Sequence, residues 1–332
     1  MTDLSSIARR LVVPGKGILA ADESTESADK RLAHYGIRTG EEMRQQYRNL
    51  FLDTPGIEEY LSGVILHEET LEQRADNGIS FPKLLSERGI IPGIKVDQGL
   101  DPFPDEGGEE KITKGLIGLP QRLARYRLEH GTGFTKWRAA LSIDGTRLPT
   151  NAVIHENAKR LASYALEVQR SGMVPMVEPE VLITGSHSRV RSREVLAQVF
   201  STLMRCLEEQ GVDLHAVIVK TSMAISGDAN ARQDTPQEVA EDTVGVLMET
   251  IPAAIPGIVF LSGGQSADQA TANLHAIQAK ARELNAPWPL TFSYARALQD
   301  EALTIWQGKE ENVTAARAAF LKRLQDVAGA GA

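Results

Sequence analysis

Charged residues in this 332-residue chain recur at the ends of apolar runs, and Lys220 is the most conspicuous of them. The stretch HAVIVKTSM (215–223) carries Ala216-Val217-Ile218-Val219, which reads as a strand buried on both faces. An unpaired ammonium is costly to bury, so a lysine closing such a strand needs partners. Suitable partners close other runs: Asp22 and Glu23, His67 and Glu68, Lys95 and Asp97, Lys136 and Arg138, Glu178 and Glu180, and Ser262. Taken singly, each reads as a solvated charge at a strand end. Residues two apart on a strand face the same way, so Lys136 with Arg138, and Glu178 with Glu180, can share one mouth. Acids and bases that neutralise one another there are equipped to move protons and to hold anions. A further signal is LSGGQS (261–266), a glycine-rich turn feeding a helix, whose backbone N–H groups suit a phosphate. Arg296 follows it in SYARALQ (293–299).

The elements that must position these residues repeat along the chain. Eight β-like runs stand out: GILAADES (17–24), GVILHE (63–68), IIPGIKVD (90–97), FTKWRAAL (134–141), VPMVEPEVL (174–182), HAVIVKTSM (215–223), GIVFLSGG (257–264) and PWPLTFSYA (287–295). Amphipathic segments lie between them, among them 151–172, 192–211, 236–251 and 266–284. Alternating strands and helices demand parallel pairing and crossover helices. Eight such units predict a (β/α)8 barrel, a TIM barrel with extra N- and C-terminal helices, as one catalytic domain over residues 1–332. An open doubly wound sheet is the alternative, but no strand leads into a G-x-G-x-x-G turn. In a barrel the active site lies at the carboxyl ends of the strands, where these polar residues fall, and the loops after strands seven and eight commonly hold phosphate.

Composition narrows the function classes. A net charge of −8 speaks against a nucleic-acid surface. No apolar run approaches membrane-spanning length and the N-terminus lacks the apolar core of a signal peptide, so a soluble, cytoplasmic protein is expected. The single cysteine, Cys206, permits no internal disulfide and reads as an inert, half-buried helix position. The seven histidines show no metal-ligand spacing, so neither metal nor cofactor is expected.

GKGILAADES, GIKVD, KWR, VEPE, a lysine closing strand six, FLSGGQS and FSYARALQ occur in order, from about residue 15 to 320. Together they resemble class I fructose-1,6-bisphosphate aldolase. The resemblance implies Schiff-base chemistry on a sugar phosphate, with Lys220 attacking the ketose carbonyl. It implies Glu178 as the acid/base for the carbinolamine hydroxyl, Asp22 beside the carbon-4 hydroxyl, and Lys136 as a charge near the reacting carbons. Glu180 is expected to lift the Glu178 pKa by like-charge repulsion. Val217, Val219, Met223 and the Lys136 cation are expected to favour a neutral Lys220 amine. Ser262, Gly263 and Arg296 are implied as the carbon-1 phosphate cradle, and Ser27, Arg31, Lys95 and Arg138 as contacts of the other phosphate. Members are commonly homotetramers, which implies a homo-oligomer.

The chain departs from the family pattern in places. Thr221-Ser222 stand where animal members usually carry Pro-Asn, Ala295 where glycine is common before the phosphate arginine, and Gln98 where a basic residue often follows GIKVD. These bear on substrate preference rather than on reaction type. The family's tyrosine-ended tail, which moves a proton at carbon 3, has no counterpart: the sequence runs into Ala330-Gly331-Ala332 with no tyrosine after Tyr294. Enamine protonation is therefore expected to limit turnover. Two rivals remain: another Schiff-base sugar-phosphate lyase of the transaldolase kind, and a barrel kept as a binding protein.

Overall fold

The computed structural model describes residues 3–104 and 109–329, so the chain end that bears on the tyrosine tail, Ala330 to Ala332, lies outside the described residues. Eight parallel strands close into a barrel: β1 Gly17–Ala21, β2 Leu61–Leu66, β3 Ile91–Lys95, β4 Phe134–Leu141, β5 Val174–Val181, β6 Ile218–Thr221, β7 Gly257–Phe260 and β8 Leu290–Tyr294. Each coincides with one of the eight apolar runs. Pairing of β8 with β1, Ser293 opposite Ile18, closes the ring and disposes of the open-sheet alternative.

Strand parity sorts the side chains into two layers. Ile18, Ala20, Ile65, Met176, Ile218 and Val259 point inward and fill the barrel with Phe134, while the helix Leu4–Leu11 packs Ala8 and Leu11 into the same cluster. The alternate residues, Val64, Val177, Val217 and Val219 among them, face the surrounding helices. Phe134 leaves so little space that Gly93 is obligatory: a Cβ there would lie 2.3 Å from the ring.

The outer helices start on side chains suited to capping. Thr150 Oγ1 accepts from the Val153 N–H ahead of Asn151–Arg170, and Thr235 with Glu238 forms a capping box ahead of Pro236–Thr250. The helix expected from residue 192 starts earlier, at Arg189, because Ser188 Oγ accepts from the Arg191 N–H and so sets its N-terminus. Cys206 on this helix is fully rather than half buried, and burial raises its thiol pKa. An antiparallel hairpin, Leu100–Pro102 with Lys111–Thr113, follows β3 and was not legible as strands. Among the described residues, no helix is long and apolar enough to cross a membrane.

Candidate active site

A pocket of about 790 Å3 opens at the carboxyl ends of the strands. Lys220, the last but one residue of β6, points into it because Ile218, two residues earlier, points into the barrel core. The apolar floor beneath the lysine is therefore Ile218, Met176 and Val259. Val217 and Val219, expected to surround it, lie on the opposite face against the helices.

Register brings the other chemistry alongside. Lys136 pairs with Met176, and Arg138 with Glu178, across β4 and β5. Glu178 then reaches both lysines: Oε1 is 3.0 Å from Lys220 Nζ and Oε2 is 3.0 Å from Lys136 Nζ. Asp22, just past β1, places Oδ2 2.7 Å from Lys136 Nζ. Lys136, Glu178 and Lys220 are 4, 3 and 3 % exposed, so this two-cation, two-anion chain is enclosed. Mutual neutralisation is what makes such burial tolerable.

The electrostatics follow from that chain. Burial would raise the Asp22 carboxyl, but Lys136 and then Lys220 outweigh it and bring its pKa down to about 2. Burial disfavours the Lys136 cation, yet Asp22 and Glu178 hold its pKa well above that of an ordinary lysine. Burial pushes Glu178 up, and the two ammonium groups more than offset this, so its pKa lies below the usual carboxylate value. The expected lift from Glu180 is absent, because Glu180 is occupied by the Arg138 guanidinium. Nor does Lys136 act on Lys220 as a bare cation, since Glu178 stands between them.

Two side chains substitute for a ladder that β5 cannot continue. Backbone pairing of β5 with β6 covers Met176 opposite Ile218 and Val177 opposite Val219. Pro179 has no N–H to extend it. Instead Thr221 Oγ1 donates to the Pro179 carbonyl and the Val181 N–H donates to Ser222 Oγ, each at 3.2 Å. The Thr-Ser pair after the lysine thus fastens the Glu178 strand to the Lys220 strand.

Next to β6 on the rim, Ser262 and Gly263 line the turn after β7. Gly263 (φ 61°) and Gly264 (φ 97°) are both left-handed, and the Gln265 N–H closes on the Ser262 carbonyl. Arg296 opens the helix Arg296–Trp306, and its Nη2 lies 3.7 Å from where a Gly264 Cβ would be. Among the described residues no carboxylate is within ion-pair distance of it. Ser293, one layer in, is buried with no hydrogen-bond partner for Oγ and faces the same pocket. It escaped sequence reading, although its place two residues before the pocket-lining Ala295 is a parity signal.

The four residues implied for a second phosphate diverge. Lys95, Arg138 and Ser27 line the pocket. Lys95 Nζ is held by Asp97, 2.6 Å from Oδ1. Arg31 does not line it: its guanidinium is bound by Glu23, Gln299 and Asp300, the last at 2.6 Å. A second hollow of about 420 Å3 at the amino ends of β1 and β8, lined by Val12, Pro14, Gln278 and Trp288, contains no carboxylate and offers no comparable chemistry. Among the described residues, no three His, Cys, Asp or Glu gather as a metal would require.

Comparison with known proteins agrees with this geometry. The model of the family described as fructose-bisphosphate aldolase class-I matches residues 3–332. A probable fructose-bisphosphate aldolase class 1 of Xanthomonas campestris is 46 % identical over 303 residues, covering 91 % of this chain and 89 % of that protein. Human fructose-bisphosphate aldolase C is 44 % identical over 324 residues, covering 97 % of this chain and 88 % of that protein. Among solved structures, fructose-bisphosphate aldolase from Plasmodium falciparum, in a complex with TRAP and a small-molecule inhibitor, superposes with a TM-score of 0.94 at 44 % identity, covering 99 % of this chain and 93 % of that one. With matches of this extent over a closed barrel that carries a buried lysine on its sixth strand, the chain belongs to the class I fructose-bisphosphate aldolase family.

Proposed function

We propose that this pocket cleaves fructose 1,6-bisphosphate reversibly into dihydroxyacetone phosphate and glyceraldehyde 3-phosphate, with Lys220 forming an imine at carbon 2 of the ketose. The observation that carries the reading is the bridging carboxylate, Glu178 between the ammonium groups of Lys136 and Lys220 at 3.0 Å each. An amine attacking a carbonyl must lose protons, and the hydroxyl it creates must gain one before water can leave. Glu178 is within reach of the nitrogen for the first transfer and can return the proton to the carbinolamine hydroxyl for the second.

The protonated imine then accepts electrons. Asp22 takes the proton of the carbon-4 hydroxyl, the bond between carbons 3 and 4 breaks, and its electron pair passes into the imine to give an enamine. The carbon-4 oxygen becomes the aldehyde. Lys136 keeps Asp22 and Glu178 ionised and ready to accept these protons. Protonation of carbon 3 and hydrolysis release the second product and regenerate Lys220.

The turn at Ser262 and Gly263, with Arg296, suits the carbon-1 phosphate: a glycine turn lets a phosphate approach the backbone closely, and among the described residues the guanidinium has no competing carboxylate. Lys95, Arg138 and Ser27 suit the carbon-6 phosphate. The reading includes a cytoplasmic homo-oligomer, in which a second copy would cover exposed apolar side chains such as Ile117 and Leu128, 95 and 82 % exposed.

Incubation with fructose 1,6-bisphosphate alone tests the activity. Release of triose phosphate and aldehyde without an added aldose acceptor is expected. A strict need for an acceptor would point to transaldolase-type transfer, and binding without turnover to a non-enzymatic barrel.

A further inference from the structure

His67 has no part in the chemistry described so far, yet it stands in the middle of it. Its backbone is extended (φ −97°, ψ 157°) and continues β2 by one residue before the short helix Glu68–Glu72. Ile65, two residues earlier, faces the barrel core, so His67 faces the pocket above it, and it lines that pocket. The ladders locate its neighbours. Ala20 and Ala21 pair with Ile65 and Leu66, and these pair with Gly93 and Ile94. One step further along the same registers puts His67 between Asp22 and Lys95, and Lys95 in turn pairs with Lys136. Asp22, His67, Lys95 and Lys136 therefore occupy one rung of the rim.

The ring's protonation is fixed from behind. The Glu69 N–H donates to His67 Nδ1 at 3.4 Å, as the cap of the short helix. Nδ1 is then the acceptor, and the proton of the neutral ring sits on Nε2. A charged ring would turn a second N–H against that of Glu69. Burial first, then the cations Arg48 and Lys95, also disfavour the charged ring, outweighing Asp22 and Glu69. The result is a neutral N–H donor on the same rung as the carboxylate proposed to deprotonate the carbon-4 hydroxyl.

We infer that His67 Nε2–H donates a hydrogen bond to the substrate oxygen on the carbon that becomes the aldehyde, stabilising the negative charge that grows on it as the carbon–carbon bond breaks. The inference rests on the aldolase reading above. The proton itself goes from that hydroxyl to Asp22, while His67 keeps its own and supplies only the hydrogen bond. A neutral imidazole suits this role, because it polarises the oxygen without placing a further cation beside Lys95 and Lys136.

The test uses two reactions of the intact enzyme. Cleavage of fructose 1,6-bisphosphate involves the carbon-4 oxygen, whereas solvent hydrogen exchange at carbon 3 of dihydroxyacetone phosphate needs the imine but has no such oxygen. His67→Asn keeps an acceptor near the Nδ1 position for the Glu69 cap but does not reach as far as Nε2, and His67→Gln can present an N–H near the Nε2 position. We expect Asn to slow cleavage by about 10²-fold, the scale of losing one such donor, while exchange stays within about threefold of wild type, and Gln to restore much of the cleavage rate. Unchanged cleavage in the Asn variant would overturn the inference, as would cleavage and exchange falling together. Failure of borohydride to trap an adduct of dihydroxyacetone phosphate in the wild-type enzyme would instead refute the imine reading on which the inference rests.

Discussion

The Lys220 ammonium and the Glu178 carboxylate are in direct contact, Nζ to Oε1 at 3.0 Å, although they come from different strands and lie 42 residues apart in sequence by their numbering. Both are almost fully buried. The contact makes one group the proton acceptor for the other before any substrate arrives, and Lys136 on the second carboxylate oxygen keeps that acceptor ionised. The pair thus has the direct contact that the proposed proton exchange requires.

Glu178→Gln should keep the shape of the site and remove the proton carrier. Imine formation with dihydroxyacetone phosphate, followed by single-turnover trapping, should slow by about 10²- to 10⁴-fold, the usual contribution of a positioned acid/base. A trapping rate equal to wild type would show that another group moves the proton.

Acid should weaken the fold partly through Asp22. Its folded pKa of about 2 lies below the ordinary 3.8, so ionisation favours the folded state. A depressed carboxyl contributes stability that is fully present above its unfolded pKa and lost as pH falls through the folded one, here between about pH 4 and pH 2. The shift is worth about 2 kcal/mol at 1.36 kcal/mol per unit. Denaturant titrations at pH 6, 4 and 3 should show wild type losing more stability than Asp22→Asn over that interval, whereas parallel losses would contradict the assignment.

The same contacts show what a sequence reveals and what it hides. All eight barrel strands were legible, because each is a compact apolar run closed by polar residues and the crossover helices between them carry helical periodicity. The mouth residues were legible by type and by their place at strand ends. Cross-strand company was not. Glu180 is the nearest charge to Glu178 in sequence, but the partners that set the Glu178 pKa, Lys136 and Lys220, come from β4 and β6, while Arg138 takes Glu180 away. The company of Arg31 was hidden for a similar reason: Gln299 and Asp300, which bind it, arrive from the helix Arg296–Trp306 some 270 residues later. Val217 and Val219 look like company for Lys220 in one dimension, and strand parity turns them to the other face.

The fastening of β5 to β6 gives a stability prediction. Ser222→Ala leaves the buried Val181 N–H without its acceptor, at a cost of about 1–3 kcal/mol. Ser222→Thr, which can present the same oxygen, should recover part of it. Urea midpoints for the two variants decide this, and a Ser222→Ala midpoint matching wild type would mean that this hydrogen bond contributes nothing to stability.

Arg296→Ala should weaken phosphate binding and leave amine chemistry intact. Loss of a charged hydrogen bond is worth about 2 kcal/mol, or roughly 30-fold in KM for fructose 1,6-bisphosphate. Imine trapping with unphosphorylated dihydroxyacetone should not change. An unaltered KM would exclude this guanidinium from the phosphate site.

Lys220 is the residue proposed to bond to substrate. Borohydride reduction in the presence of dihydroxyacetone phosphate, followed by proteolysis and peptide mass mapping, tests that directly. One stable adduct per chain is expected, on the peptide containing Lys220, and none in Lys220→Met. An adduct on Lys136 or Lys95, or no adduct at all, would contradict it.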